Sequence, residues 1–328
     1  MTAYHRPVDA FEDMFRSVRA RGSLFGSSTV TAPWALRFVD GAPLTLCTVL
    51  RGSGWILPEG RPPEHLAAGE TLILRGPAPF SFVDEVGTAA EPIECGEHCA
   101  TPDQGGTYHR LGWRDTAPGD STRATTLITG AYPVRGEIGR QLLDAVPDVL
   151  RIAGDGTVGA VQALLAAEVA VDAPGQQIVL DRLLDWMLVC SLRDWFDRPG
   201  GDPPAWYSAH RDPVVGPALR LLHDEPARSW TVASLAGRVG VSRATLAKRF
   251  AGLVGEPPLT YLTRRRMMIA ADLMRERKTA TLAEIAREVG YSDAFGFSTA
   301  FKRIRGVNPT EFRRELVQPL DRSRAVDA

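Results

Sequence analysis

The C-terminal half of the sequence contains the same pattern twice. Thr231–Ser242 reads TVASLAGRVGVS and Thr281–Ser292 reads TLAEIAREVGYS, so six residues recur at an offset of 50. Beyond the second serine the offset becomes 51, because Phe250 then matches Phe301. One structural unit therefore occurs twice, with one residue added in the second copy.

Each copy predicts a helix, a turn that contains glycine, and a second helix. Thr231 and Thr281 are predicted N-caps of the first helices, and only Thr281 has the Glu284 that completes a capping box. A glycine ends each first helix, since glycine adopts the left-handed C-cap conformation without steric cost. Ser242 and Ser292 are the predicted N-caps of the second helices. This order is that of a helix-turn-helix unit, whose second helix enters the major groove of DNA.

The second helix of each copy has an apolar side and a basic side. Three residues at spacings i, i+4 and i+7 form the predicted inward side: Leu246, Phe250 and Leu253 in the first copy, and Phe297, Phe301 and Ile304 in the second. A helical hairpin array that binds protein would show the same apolar pattern. The basic residues on both second helices favour DNA.

The positive charge of the chain is concentrated in the half that contains the repeat. The 328 residues include 38 Lys and Arg and 39 Asp and Glu, which gives a net charge of −1. Residues 211–328 alone carry a net charge of +8, and residues 1–210 carry −9. This asymmetry favours a polyanionic partner for the basic half, although two folded domains with unrelated surfaces would also produce it.

Composition excludes several classes of protein. No stretch approaches the roughly 18 apolar residues of a membrane helix, and the N-terminus MTAYHRPVDAFEDMF has acidic residues where a signal peptide needs an apolar core. Four cysteines do not form a disulfide scaffold in a chain of this length. We therefore expect a cytoplasmic protein without a membrane partner.

The N-terminal half predicts short strands followed by helices. Glycine and proline turns separate the apolar runs, as in a β-sandwich or barrel. The predicted strands are Ala35–Val39, Leu44–Leu50, Gly54–Leu57, Thr71–Leu74 and Thr125–Tyr132. The predicted helices are Ile138–Leu143, Val158–Val171 and Ile178–Phe196. Residues 85–122 are predicted to be an irregular loop, and the proline-rich Arg198–Ser208 is predicted to be a stiff linker.

Residues 213–316 resemble the DNA-binding domain of AraC/XylS-type transcriptional regulators. The two-copy arrangement, the connector GEPPLTYLTRRRMMIAADLM and the closing segment GYSDAFGFSTAFKRIRGVNPTEFRR carry this resemblance. Residues 20–84 and 125–150 resemble the cupin-type sensor half of such regulators, through RARGSLFGSSTVTAPWALRF, LAAGETLILRGPAPFSF and TTLITGAYPVRGEIGRQLLDAVPDVL. The resemblance implies two helix-turn-helix units that grip successive major grooves of double-stranded DNA. It also implies an N-terminal sensing and dimerising domain, and RNA polymerase as a partner.

The expected fold is therefore α+β with two domains. An N-terminal cupin-like β-barrel with a helical pair precedes an all-α domain with two helix-turn-helix units. The expected boundaries are 1–197 for the sensor and dimerisation domain, 198–212 for the linker, 213–316 for the DNA-binding domain and 317–328 for a tail. The helix-turn-helix units span about 231–253 and 281–304. The stripe of Leu180, Leu184, Met187 and Leu188 faces either the sensor core or a second subunit, and we expect a homodimer through it.

Helical geometry predicts which side chains of the first unit meet DNA. With the apolar stripe turned inward, the opposite face is centred on Lys248, with Ala244 near its middle and Thr245 at its border. The family pattern places base contacts at Ala244, Ala247 and Lys248. Arg243 and Arg249 lie on the flanks, where phosphate contacts position the protein without specifying sequence.

The second unit lacks the polar side chains that usually contact base edges in this family. Its corresponding positions are Ala294, Phe295, Gly296 and Thr299, with no Arg, Gln or Asn among them. Phe295 either contacts a thymine methyl group or packs on the DNA backbone or on another protein. We expect this unit to position more than it specifies, through two basic residues, Lys302 and Arg303.

The N-terminal half does not carry the motifs of an enzyme. Metal-dependent cupins have an early His-x-His pair, whereas Leu44–Leu57 contains no histidine. A Gly-x-Ser-x-Gly elbow and a P-loop are also lacking in these residues. We therefore expect a regulator that senses a small molecule or a stress signal, with no cofactor. A cupin enzyme fused to a DNA-binding module is a less favoured alternative.

One group of residues leaves a different signal open. Cys95, His98, Cys99 and His109 lie close together in the sequence. They could hold zinc or another transition metal, or the two cysteines could form a thiol switch. An ordinary loop that contains two cysteines is the remaining possibility. The corresponding alternative function is a redox- or metal-responsive sensor.

Overall fold

A computed structural model gives the structure of Phe11, Phe15 and residues 28–39, 41–89, 91–93, 124–171, 173–199 and 203–317. These residues form two compact units. The sheet-rich unit contains the described residues within Phe15–Val134 and Leu142–Pro203. The helical unit contains Phe11, Arg135–Gln141 and the described residues from Pro204 onward.

The sheet-rich unit contains two five-stranded sheets. Its described strands are β1 (Ser28–Thr31), β2 (Ala35–Phe38), β3 (Leu44–Arg51), β4 (Ser53–Pro58), β5 (Glu64–Ala67), β6 (Thr71–Arg75), β7 (Phe80–Val83), β8 (Glu91–Ile93), β9 (Ala124–Tyr132) and β10 (Val149–Ile152). The first sheet has the order β1-β9-β3-β6-β10 and the second has the order β5-β4-β7-β2-β8. All neighbours are antiparallel except β2 and β8, which are parallel. The five strands predicted from sequence are β2, β3, β4, β6 and β9.

The two sheets pack face to face around an apolar core. Val49, Leu72 and Leu127 of the first sheet contact the cluster that contains Trp34 and Phe82 of the second sheet. The opposite face of the first sheet is also covered, so β3 (LTLCTVLR) is buried over its first six residues. Burial on both faces explains why this strand lacks a polar-apolar alternation.

The predicted barrel is not closed. Within the described residues the ten strands stay in two separate ladders, which makes this unit a sandwich. Alternating strands and turns predict a sandwich and a barrel equally well, because closure depends on which edge strands pair. The cupin-like barrel is thus corrected to an open pair of sheets.

Two helices, α2 (Gly156–Val169) and α3 (Gln176–Asp197), cover the outer face of the first sheet. Helix α1 (Gly136–Asp144) precedes β10 in the chain, and its residues up to Gln141 belong to the helical unit. Gln162 of α2 donates through Nε2 to the hydroxyl oxygens of Thr48 and Thr71, both at 3.1 Å. The Tyr132 hydroxyl donates to the Leu184 carbonyl at 2.7 Å. These buried bonds fix the helical pair α2 and α3 on the sheet.

The apolar stripe predicted to form a dimer has a different role. Leu180, Leu184, Met187 and Leu188 are at most 2% exposed within the single chain. The Thr71 hydroxyl lies 3.9 Å from the Met187 sulfur, which shows that the stripe faces the first sheet. The stripe is part of the core of the sheet-rich unit, and any partner must meet another face of α3.

Eight helices of the described residues build the helical unit from Pro204 onward. They are α4 (Ala205–Ala209), α5 (Val215–Asp224), α6 (Val232–Arg238), α7 (Arg243–Val254), α8 (Pro258–Glu276), α9 (Leu282–Glu288), α10 (Ala294–Arg305) and α11 (Pro309–Val317). Helix α4 lies within residues 198–212, and Ala209 at its end is buried in the core of the first helix-turn-helix unit. No helix of the described residues is long and apolar enough to cross a membrane.

The helix ends differ from three sequence predictions. Thr231 also forms a full capping box, because the Ser234 hydroxyl accepts from the Thr231 amide at 2.9 Å and can replace a glutamate. The N-cap of α10 is Asp293 instead of Ser292, since the inserted residue shifts the second helix by one position. Leu253, predicted to face inward, is 39% exposed because it lies in the last turn of α7.

Candidate DNA-binding interface

Helix α8 joins the two helix-turn-helix units into one body. Its first half places Tyr261 and Leu262 in the core formed with α5, α6 and α7. Its second half places Met267 and Met274 in the core formed with α9, α10 and α11. Because one continuous helix contributes to both cores, the two helix-turn-helix units keep a fixed position relative to each other.

The first helix-turn-helix unit presents a capped recognition helix. The Ser242 hydroxyl accepts from the Thr245 amide at 3.1 Å and so begins α7. Leu246 and Phe250 are fully buried beneath the helix. Of the predicted contact residues, Arg243, Ala244, Thr245, Lys248 and Arg249 are exposed and Ala247 is half-buried. Five of these six side chains are therefore open to solvent, and their contact with DNA stays a prediction.

Arg249 has a partner within the protein. Its Nε donates to Asp212 at 2.8 Å, and the same carboxylate accepts from the amides of Val214 and Val215 at the start of α5. This bridge ties α7 to α5. A phosphate contact by Arg249, which remains a prediction, would compete with Asp212.

The second unit presents a recognition helix with an apolar tip. The Asp293 carboxylate accepts from the Gly296 amide at 2.8 Å, and this hydrogen bond lowers the pKa of Asp293. Phe297 and Phe301 are fully buried, whereas Phe295 is 83% exposed. The remaining predicted contacts divide by exposure: Ala294 is half-buried, while Thr299, Lys302 and Arg303 are exposed.

The candidate metal or thiol residues are not part of this interface. Cys95, His98, Cys99 and His109 lie outside the described residues. Among the residues that the structure does describe, no group of three or more metal-ligating side chains is assembled. Cys47 and Cys190 are buried in the sheet-rich unit, as their apolar surroundings in the sequence predict.

A buried ion cluster in the helical unit was not predicted from sequence. The Glu137 carboxylate accepts from Arg275 of α8 at 2.5 Å and from Arg305 of α10 at 2.8 Å. Asp272 of α8 accepts from the Glu137 amide at 2.7 Å, which caps the N-terminus of α1. The partners lie 135 to 168 residues apart, so no local sequence signal could have shown this cluster.

Gly136 makes room for the cluster. Its φ is +78°, and a Cβ there would lie 2.7 Å from the Asp272 carboxylate. Both observations require glycine at this position. Arg305 is the last residue of α10, so the cluster anchors the C-terminal end of the second recognition helix.

Charge pairing sets the protonation of the cluster. The hydrogen bond from Arg305 lowers the pKa of Glu137 from 4.5 to about 2; burial opposes this shift and Arg275 adds to it. Burial raises the pKa of Asp272, against the bonds from the α1 amides. Glu137 therefore stays ionised at neutral pH and holds both guanidinium groups.

Known proteins resemble this chain over both the sheet-rich unit and the helical unit. A cupin family model matches residues 9–197 and a helix-turn-helix domain model matches residues 235–315. An AraC-like transcription regulator of Streptomyces lividans is 33% identical over 317 residues, which cover 95% of this chain and 100% of that protein. A second AraC-like regulator, from Streptomyces antibioticus, is 34% identical over 94% of this chain and 99% of its own length. The regulator AlkR of Acinetobacter baylyi is 31% identical over 94% of this chain and 100% of its own length.

A helical domain with two helix-turn-helix units, joined to a cupin domain, defines a class of DNA-binding transcription regulators. The chain belongs to the family of AraC-like transcription regulators. The names of its relatives also agree with the expectation of a regulator instead of an enzyme.

The Glu137 cluster predicts acid lability. Because its pKa falls from 4.5 to about 2 on folding, Glu137 stabilises the protein above pH 4.5. This stabilisation, up to about 3 kcal/mol, is lost as the pH falls through the folded pKa. Glu137→Gln should therefore lower the free energy of unfolding at pH 7, and its deficit should shrink between pH 4.5 and 2. Urea titrations followed by far-UV circular dichroism measure both effects.

Glu276→Gln is the matched control, because Glu276 is exposed on the same helix α8 that supplies Arg275. It should match the wild type at every pH. A Glu137→Gln variant whose stability falls with pH as steeply as that of the wild type would contradict the assignment.

Proposed function

We propose that this regulator recognises a specific DNA sequence chiefly through α7, and that its sheet-rich unit binds a small-molecule effector. The observation that supports specific recognition is the exposed face of α7. Ala244 in the first turn and Lys248 one turn further along point outward, while the buried Leu246 and Phe250 fix the rotation of the helix. Base reading is concentrated in the N-terminal part of a recognition helix. RNA polymerase as a further partner rests on the family resemblance.

Two basic residues serve different purposes in this proposal. Lys248 lies in the middle of the outward face of α7, within reach of base edges. Arg303 lies near the C-terminal end of α10, where it meets the phosphate backbone. Base contacts specify sequence, whereas phosphate contacts add affinity on every sequence.

Substitution of these residues separates specificity from affinity. Lys248→Ala should weaken binding to a selected operator by about tenfold or more, with a much smaller effect on scrambled DNA. Arg303→Ala should weaken both alike and reduce the slope of log K against log salt by about one. Fluorescence anisotropy of the full chain across a salt series measures both. Equal losses on the two duplexes for Lys248→Ala would show that the reading face is assigned wrongly.

A cleft at one end of the sandwich supports effector binding. It measures about 250 Å³. Leu74, Phe80 and Val149 supply apolar lining, and Arg61 and Arg75 lie on its polar side. Both guanidinium groups bind the carboxylate of Asp148, and Glu59 is a second acidic residue of the lining. Since each guanidinium has five N–H donors, donors remain for an acceptor-rich ligand. We propose a small carboxylic acid with an apolar body.

Ligand-induced stabilisation tests the effector class. A panel of small aliphatic and aromatic carboxylic acids, each paired with its primary amide, is added to the full chain in thermal denaturation. At least one acid should raise the melting temperature while its amide does not, because only the acid binds both guanidinium groups as an anion. Arg61→Gln with Arg75→Gln should abolish the shift. No shift with any acid, or an equal shift in the double variant, would contradict this class.

An outer face of the helical pair supports a homodimer. Helix α2 has Glu168 as its only charged residue and is apolar on all sides, which is typical of a helix that is covered. Leu164 of α2 and Ile178, Val179 and Trp186 of α3 are 42% to 65% exposed. An isologous contact would bury this surface of one copy against the same surface of another.

Negative charge introduced on this outer face should prevent two copies of the chain from forming a dimer. Ile178→Asp combined with Trp186→Asp should convert a dimer into a monomer in sedimentation velocity at micromolar concentration, because two carboxylates would be buried without partners. Leu253→Asp is the control, since Leu253 is an exposed apolar residue of the helical unit, and it should leave the dimer intact. A wild-type monomer, or a double variant that stays dimeric, would overturn the proposal.

A further inference from the structure

The second recognition helix exposes a large aromatic side chain in its first turn. Phe295 is 83% exposed, whereas Phe297 and Phe301 of the same helix are fully buried. Phe295 is therefore not part of the core. Because exposure of a phenyl ring to water is unfavourable, a partner that covers this ring would gain binding free energy.

The polar groups around Phe295 are mostly engaged within the protein. The Ser298 hydroxyl donates to the Ala294 carbonyl at 2.7 Å, and the Asp293 carboxylate caps the helix. Thr299 is the exposed polar neighbour one turn further along. Most hydrogen-bonding groups around the ring are thus satisfied within the protein, so the exposed ring of Phe295 fits an apolar target better than a hydrogen-bonding one.

The residue after Phe295 also suits close contact. A Cβ at Gly296 would meet only the Asp293 side chain, at 3.5 Å, which is an ordinary contact. Nothing within the unit therefore requires glycine here. Its lack of a side chain leaves space beside the phenyl ring for a surface that approaches the helix.

The repeat places Phe295 at a reading position. At the offset of 51, Phe295 corresponds to Ala244 and Thr299 corresponds to Lys248 of the first unit. Lys302 and Arg303, one to two turns further along α10, are exposed and basic. An apolar tip followed by basic residues fits a helix whose start enters a groove and whose end meets phosphates. This step rests on the proposed function.

We propose that Phe295 reads thymine through its C5-methyl group in the major groove. Among the base-edge groups of the major groove, the thymine methyl is the apolar one. The second helix-turn-helix unit then contributes sequence specificity by apolar contact, in addition to positioning. This goes beyond recognition by the first unit alone.

Methyl deletion in the DNA tests the proposal. The full chain first selects a duplex from a random pool, and each thymine is then replaced singly by deoxyuridine, which keeps base pairing and removes only the methyl group. For at least one thymine, wild-type affinity should fall by about fourfold, the factor that burial of one methyl group corresponds to. Phe295→Ala should bind the parent duplex more weakly and lose this sensitivity.

A double-mutant cycle isolates the contact. Phe295→Leu is the matched variant and should retain part of the methyl sensitivity, because leucine is also apolar. Lys248→Ala should leave the sensitivity unchanged. If Phe295→Ala keeps the full deoxyuridine effect, or if no thymine is sensitive in the wild type, the proposal is wrong.

Two other outcomes are informative. If Phe295→Ala binds DNA normally but loses the effect of the wild type on transcription in vitro, the ring contacts a protein and the proposal is overturned. If the wild type selects no duplex at all, the proposed function itself fails, which is distinct from selection without methyl sensitivity.

Discussion

The DNA-binding half depends on the packing of α8. Tyr261 and Leu262 belong to one core and Met267 and Met274 to the next, so a single helix carries both recognition helices. Its 19 residues span about 28 Å at 1.5 Å per residue. Successive major grooves on one face of DNA are about 34 Å apart. We propose that a rigid element of this length holds the two recognition helices for adjacent major grooves.

The local architecture of this half was predictable from sequence, because its signals are local. Thr281 with Glu284 marks a helix start within four residues, and the second copy confirms the reading of the first. The Glu137 cluster was not predictable, since Arg305 lies 168 residues away and only the fold brings them together. The stripe around Leu184 shows a different limit: periodicity gives its apolar character but not what covers it. Closure of the sheets likewise depends on edge pairing that no strand pattern encodes.

The number of arginines in the basic half overstates the number available to DNA. Glu137 binds Arg275 and Arg305, and Asp212 binds Arg249, so these guanidinium groups serve the fold. The first recognition helix exposes Lys248 on its outward face. The second exposes Phe295 near its start and Lys302 and Arg303 near its end. The two copies of one repeat have thus acquired different chemistry on the same scaffold.

The central claim is that α8 fixes two recognition helices at the spacing of adjacent grooves. Insertion of base pairs between the two segments that the full chain protects in a hydroxyl-radical footprint tests this most directly. Five added base pairs rotate one segment by about half a turn relative to the other, since a turn holds about 10 base pairs. The account predicts that the affinity for the lengthened duplex falls to the affinity for a duplex that contains only one of the two protected segments. Unchanged affinity after the insertion, with both segments still protected, would contradict it.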